Sequence, residues 1–66
     1  SSQFNVQLEN NNNYKIEILN ALGQVLFSKD AEISNSIDLI NFDNGLYFLK
    51  VLDKNFTLYT TRIIKQ

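Results

Sequence analysis

Apolar and polar residues alternate along several short stretches of this chain, and this alternation restricts the fold more than any other feature of the sequence. Tyr14, Ile16 and Ile18 are separated by Lys15 and Glu17, so the apolar side chains of an extended segment would all lie on one face. No stretch places apolar residues at i, i+3, i+4 and i+7 over enough residues to form an amphipathic helix. The pattern therefore predicts an all-β protein.

Six segments are predicted to form strands. They cover residues 4–8, 14–19, 24–29, 36–39, 46–52 and 56–64. The asparagine run at 10–13 is predicted to be a loop, because asparagine side chains bond their own backbone and tolerate left-handed conformations. Short turns at 20–23 and 53–55 predict that the second and third strands, and the last two strands, are antiparallel neighbours. Strands recurring about every ten residues suggest a sandwich or a barrel, and we favour a sandwich of two sheets.

Composition limits the size and the partners of this protein. The chain has 66 residues, enough for one core, so residues 1–66 are treated as a single domain. A hydrophobic fraction of 44% and a net charge of −1 fit a globular domain better than a disordered tail. Only six lysine and arginine residues are present, and a domain without a clustered basic patch is not expected to bind nucleic acid.

The residue types available leave little room for catalysis. Cysteine and histidine are both absent, which removes thiol nucleophiles, disulfides, imidazole bases and the commonest zinc ligands. Serine and threonine hydroxyls have no histidine to activate them, and the aspartates lack the regular loop spacing of a calcium site. We predict no catalytic residue, no metal site, no cofactor and no small-molecule substrate.

The alternation also predicts which side chains form the core. The residues expected to be buried are Phe4, Val6, Ile16, Ile18, Val25, Phe27, Ile37, Leu39, Phe42, Tyr47, Leu49 and Val51. Tyr47 follows a predicted turn, where the tyrosine of a sandwich corner buries its ring and bonds its hydroxyl to the backbone a few residues upstream. Gly23 and Gly45 lie in turns, where glycine alone reaches positive φ at low cost.

The second face of the 46–52 strand is apolar as well. It carries Leu46, Phe48 and Leu52. These side chains could pack under a neighbouring loop, or they could form a docking face, since exposed contiguous apolar area usually marks an interface. The sequence leaves both interpretations open.

Four motifs follow one another in a fixed order. They are N-A-L-G-Q-V-L at 20–26, I-D-L at 37–39, F-D-N-G-L-Y-F-L-K-V at 42–51 and R-I-I-K at 62–65. In this order and spacing the chain resembles the type A C-terminal sorting domain of the type IX secretion system of Bacteroidetes-type bacteria. Each motif alone is weak, but the series ending in a basic and aliphatic segment is specific. The resemblance extends over nearly the whole chain.

This resemblance implies a fold, a location and a function. Family members end secreted or cell-surface proteins, adopt small immunoglobulin-like antiparallel β-sandwiches of six or seven strands, and are recognised by the export machinery. The chain is then expected to be the terminal fragment of a longer precursor, covalently linked to an upstream passenger protein that passes through the periplasm and across the outer membrane. In many members a sortase then removes the domain, so a sortase is a further expected partner.

The resemblance also implies roles for individual residues. Gly23 corresponds to the hairpin glycine of the family, and Gly45 and Tyr47 correspond to its Gly-x-Tyr strand entry. The terminal basic segment, whose residues are the candidates for signal recognition, consists of Arg62, Ile63, Ile64 and Lys65. We expect 62–66 to lie at the frayed end of the last strand with few packing contacts.

A second hypothesis comes from a different functional class. An immunoglobulin-like or fibronectin-like adhesive module, which binds protein or carbohydrate, could have the same composition and strand pattern. Such a module would bind a ligand through its apolar face or its loops and would keep that activity when moved within a protein. A sorting signal would instead be needed for export of its passenger. In neither case is the chain expected to be an enzyme.

Overall fold

The computed structural model describes residues 3–8, 13–53 and 56–66. These residues form six strands, which are β1 (Gln3–Gln7), β2 (Tyr14–Asn20), β3 (Val25–Asp30), β4 (Ser34–Asp38), β5 (Gly45–Asp53) and β6 (Phe56–Lys65). Each strand corresponds to a segment predicted from the alternation, with ends that differ by at most two residues. The described part of the chain contains no helix that could span a bilayer.

The strands form two antiparallel sheets, with the order β1-β4 in one and β3-β2-β5-β6 in the other. Strand pairs β2–β3 and β5–β6 are antiparallel neighbours, as their short turns predicted. The order places β1 and β4 where an immunoglobulin domain has strands B and E, and places β3, β2, β5 and β6 at C′, C, F and G. The prediction of an all-β sandwich is confirmed.

The core lies between the two sheets. Its buried members are Ile16, Ile18, Ala31, Ile37, Leu39, Tyr47, Leu49 and Val51. The side chains from the four-stranded sheet belong to β2 and β5, the two strands in its centre. Phe4, Val6 and Phe42 were predicted to be buried and are only partly buried, packing against this cluster from its margin.

The prediction that Val25 and Phe27 are buried is wrong, since their side chains are 51% and 39% exposed. Both lie on β3, an edge strand of the four-stranded sheet, and the opposing sheet has only two strands to cover it. The ladder also shifts register here: Phe27 pairs with Ile18, whereas Val25 pairs with Leu19. Consecutive residues of a strand point to opposite faces, so the bulge places Val25 and Phe27 on opposite sides of the sheet.

Asn20 determines the turn between β2 and β3. Its side-chain oxygen accepts hydrogen bonds from the backbone N–H groups of Leu22 at 3.0 Å and Gln24 at 2.9 Å. Its amide nitrogen donates to Oε1 of Gln24 at 2.8 Å, and Gly23 has a φ of 87°, which a side chain would disfavour. The asparagine, glycine and glutamine of the first motif therefore have a local structural role.

Asn35 anchors the start of β4 and was not singled out from the sequence. It is 2% exposed, and its amide nitrogen donates to the carbonyl oxygens of Val6 at 3.1 Å and Glu32 at 2.7 Å. Its side-chain oxygen accepts from the Glu32 N–H at 2.8 Å. Because the polar atoms of the Asn35 side chain are hydrogen-bonded, burying this amide costs little free energy. Its hydrogen bond to Val6 joins β4 to β1.

Two predicted loops lie partly outside the described residues. Residues 10–12 and 54–55 belong to that undescribed part, so the turns predicted there are not tested. Asn13 has a φ of 56°, which is the left-handed conformation that the asparagine run was predicted to favour.

Candidate recognition surface

The β5–β6 hairpin brings together residues that the sequence suggested for two separate roles. Leu46 pairs with Ile64, and Phe48 pairs with Arg62. These pairs share the face of the four-stranded sheet that points away from the β1–β4 sheet, because Tyr47, between them in β5, points into the core. Directly paired side chains of antiparallel strands lie about 4.5 to 5.5 Å apart at Cβ. We call Leu46, Phe48, Arg62 and Ile64 the outer patch.

The outer patch is apolar and open to solvent. The Leu46 side chain is 37% exposed and that of Ile64 is 64% exposed, and Phe48 is partly buried. Phe48 also pairs across β2 with Leu19, which is 6% exposed although it lies outside the core cluster. Neighbouring side chains on this face therefore shield Leu19 from solvent, and Leu19 lies buried beside the outer patch.

Arg62 supplies the charge of the outer patch. Its side chain is exposed, and no hydrogen bond or ion pair joins its guanidinium to another of the described residues. The guanidinium can donate five hydrogen bonds and suits a carboxylate particularly well. Beside the Phe48 ring and the Ile64 side chain, it makes a surface suited to a partner that presents a carboxylate next to apolar groups.

Leu52 continues the apolar row of β5 at its other end. It is partly buried, and Lys50 lies between it and Phe48 on the same face of β5, so a polar side chain separates it from the outer patch. Of the residues suggested for a docking face, Leu46 and Phe48 adjoin the candidate recognition residues, and Leu52 does not.

The inward residues of the terminal segment have structural contacts instead. Ile63 packs against the core. The Lys65 ammonium donates hydrogen bonds to the carbonyl oxygens of Ile40 at 3.2 Å and Phe42 at 2.6 Å, and Lys65 itself pairs with Gly45 at the end of β6. The expectation that 62–66 form a frayed end is therefore wrong, because β6 continues to Lys65 and its ammonium binds the loop opposite.

The loop between β4 and β5, residues 39–44, is held from two sides. Lys65 binds two of its carbonyl groups, and the Tyr47 hydroxyl donates to a third, that of Asp43. The rings of Tyr47 and Phe42 lie 5.3 Å apart between centroids at an angle of 47°. Tyr47 is 7% exposed, so it combines a buried ring with a bond to backbone four residues upstream, as a sandwich-corner tyrosine does. Gly45, with a φ of 152°, leads from this loop into β5.

We expect Lys65→Met to lower the free energy of unfolding by about 1 kcal/mol. The substitution keeps most of the stem and removes two charge-assisted hydrogen bonds, whose value is reduced because the site is only partly buried. Lys15→Met is the matched control, since Lys15 is exposed and such changes usually stay within about 0.5 kcal/mol. Urea denaturation compares the two variants, and equal midpoints would show that the Lys65 bonds add nothing to stability.

Among residues 3–8, 13–53 and 56–66, no group of three or more acidic side chains lies close enough to hold a metal ion.

The contacts that the sequence reasoning missed, those of Lys65, Asn20 and Asn35, are local or depend on strand pairing. Alternation along β6 was the one available signal for Lys65, because it places residues 63 and 65 on the inner face.

Two comparisons with known proteins gave matches. A family model described as the secretion system C-terminal sorting domain matches residues 1–66. An ulvan lyase of Nonlabens ulvanivorans is 35% identical over 63 residues, which represent 92% of this chain and 12% of that protein. The chain thus spans only a small part of the length of this curated relative. No solved structure shows a significant match.

Proposed function

The chain belongs to the family of secretion system C-terminal sorting domains, and from this premise we propose that the export machinery recognises it through the outer patch. The domain is a non-catalytic signal for type IX secretion, and it directs export to the cell surface or the medium. The machinery is therefore a partner of this domain.

One observation carries the proposal. Strand pairing places Arg62 and Ile64 of the terminal segment beside Leu46 and Phe48 of the Gly-x-Tyr strand, although the two motifs are separated in sequence. Their neighbours Ile63 and Lys65 face inward and hold the fold. A partner that binds the folded domain would therefore meet the outward half of the segment together with an apolar surface from β5. Aromatic and arginine side chains near the centre of an interface commonly dominate its energetics, and Phe48 and Arg62 are of these types.

We further propose that an upstream passenger protein, covalently linked to this domain, carries whatever activity the whole protein has. The chain matches only a small part of the length of an ulvan lyase, which supports such an arrangement. The match does not make the passenger of this chain a lyase. We also propose that a sortase separates the two after export. Mass spectrometry of the exported passenger tests this step, because cleavage would leave a C-terminus that ends before the sorting domain.

Export of a reporter tests the function directly. The chain is fused to the C-terminus of a periplasmic fluorescent protein in a bacterium with a type IX system, and the unfused reporter is the control. We expect fluorescence on the cell surface or in the medium for the fusion and in the periplasm for the control. If a correctly folded fusion stays in the periplasm, the sorting function fails and an adhesive module becomes the better hypothesis.

A further inference from the structure

The bulge between β2 and β3 turns Val25 toward the face of the four-stranded sheet that carries the outer patch. Phe27 pairs with Ile18, which lies in the core, and in a regular strand the residue two positions earlier would point inward as well. The register shift instead pairs Val25 with Leu19, whose side chain lies on the outer face. Bulges often re-aim a side chain beside a functional site, and here the re-aimed side chain is 51% exposed.

With Val25 in this position, one row of side chains crosses all four strands of the sheet. Val25 pairs with Leu19, and Leu19 pairs with Phe48. Phe48 pairs in turn with Arg62. Neighbouring strands lie about 4.8 Å apart, so this cross-strand row extends over about 14 Å from one edge of the sheet to the other. It joins residues from the first, third and fourth motifs of the sequence.

The cross-strand row differs in charge from the rows beside it. The two charged residues of β2 on this face lie opposite residues of the other sign, since Glu17 pairs with Lys50 and Lys15 pairs with Asp30. The row that ends at Arg62 contains no acidic residue, and its other three side chains are apolar. A partner's carboxylate is therefore attracted to one end of this row, and the rest of the row is left for apolar side chains of the same partner.

We propose that the export machinery contacts the whole cross-strand row, and that Val25 is a specificity-determining residue of the recognition surface. The inference rests on the proposed function and extends the interface from the outer patch to the edge strand β3. The partner surface that fits is an apolar ridge with a carboxylate at the end that meets Arg62. Val25 and Phe48 contact this ridge, and Leu19 lies buried between them. Burial of the exposed apolar side chains favours association.

Two lysine substitutions on β3 test the inference in the reporter fusion. Val25→Lys places a charge in the cross-strand row. Ser28→Lys introduces the same side chain on the same strand and face, at an exposed residue that pairs with Glu17. We expect export of Val25→Lys to fall by about fivefold or more and export of Ser28→Lys to stay at the level of the unaltered fusion. Circular dichroism verifies that both variants are folded.

Val25→Thr provides a milder change at the same residue. Threonine keeps the β-branched shape and replaces one methyl group by a hydroxyl, so this variant tests the apolar contact even if Val25→Lys does not fold. We expect a smaller loss of export in the same direction. Val25→Ile keeps the side chain apolar and should be exported normally, which separates the contact from a general sensitivity of β3 to substitution.

A second copy of the chain is the alternative occupant of the cross-strand row. Sedimentation of the purified fusion distinguishes it, and we expect a monomer. A dimer that Val25→Lys dissociates would assign the row to self-association and overturn the inference.

Equal export of folded Val25→Lys and Ser28→Lys, whether both are exported or both retained, would also overturn the inference. Retention of the double variant Arg62→Glu with Ile64→Thr would in that case leave the proposed function standing, with an interface that ends at β5. Normal export of this double variant as well would contradict both.

Discussion

Replacing Tyr47 with alanine is expected to lower the free energy of unfolding by about 3 to 5 kcal/mol, the range typical of deleting a large buried aromatic ring. The ring is 7% exposed and packs beside Phe42, so the deletion leaves a cavity at one end of the core. It also removes the hydroxyl that holds the carbonyl of Asp43. A domain of this size has little stability to spare, and the variant should be largely unfolded at room temperature.

Tyr47→Phe measures the contribution of the hydroxyl to stability separately from that of the ring. The ring and its packing remain, and the loss is one hydrogen bond to a backbone carbonyl, worth about 0.5 to 1.5 kcal/mol. Urea denaturation of Tyr47→Phe gives the contribution of the hydroxyl, and the folded fraction of Tyr47→Ala without urea gives the combined loss. If Tyr47→Ala has the same midpoint as the unaltered domain, Tyr47 contributes neither as a core residue nor as the corner of the sandwich.

The strands were predictable because alternation is a local property of the sequence. Ile16 and Ile18 of β2, and Leu49 and Val51 of β5, are buried as their two-residue period indicates. The two-residue period shows which side chains share one face of a strand, but it does not show which strands lie at the centre of a sheet. Burial is therefore predicted well for central strands and poorly for an edge strand.

The outcome for β3 illustrates this limit. Val25 and Phe27 have the same alternation as buried residues, and a bulge opposite Ile18 and Leu19 places them on different faces. A bulge depends on how two strands pair, and nothing in the six residues of β3 alone reveals it. The two-stranded sheet is also too narrow to cover an edge.

The residues of the candidate site could be predicted from the sequence, but their arrangement in space could not. The resemblance identified 62–65 as one segment with one role, whereas strand geometry divides it into outward and inward residues. Lys65 binds carbonyl groups more than twenty residues earlier in the chain, a contact that requires the packed sandwich. Arg62 meets Phe48 only because β5 and β6 pair in the observed register.

A double substitution in the outer patch, Arg62→Glu with Ile64→Thr, is expected to reduce export of a fused reporter by about tenfold or more. It reverses the one charge of the patch and removes an apolar side chain, and loss of an interface hot spot of about 2 kcal/mol weakens binding by more than tenfold. Both side chains are exposed, and threonine retains the β-branched shape that suits a strand. The free energy of unfolding should therefore change little.

Two controls accompany this variant. Lys15→Glu with Leu22→Thr makes the same kinds of change at exposed positions on β2 and on the β2–β3 turn, and it should be exported normally. Lys65→Met weakens the domain without altering the outer patch, so it should also be exported as long as it folds. If it were retained as strongly as the outer-patch variant, stability or the terminal lysine itself would govern export.

The most direct test of the central claim is therefore the exported fraction of reporter fluorescence for the outer-patch variant and for its matched control, both verified as folded by circular dichroism. If the outer patch is the recognition surface, the outer-patch variant is retained in the periplasm. The matched control then reaches the surface or the medium at the level of the unaltered fusion. Equal export of the two folded variants would contradict recognition through this face.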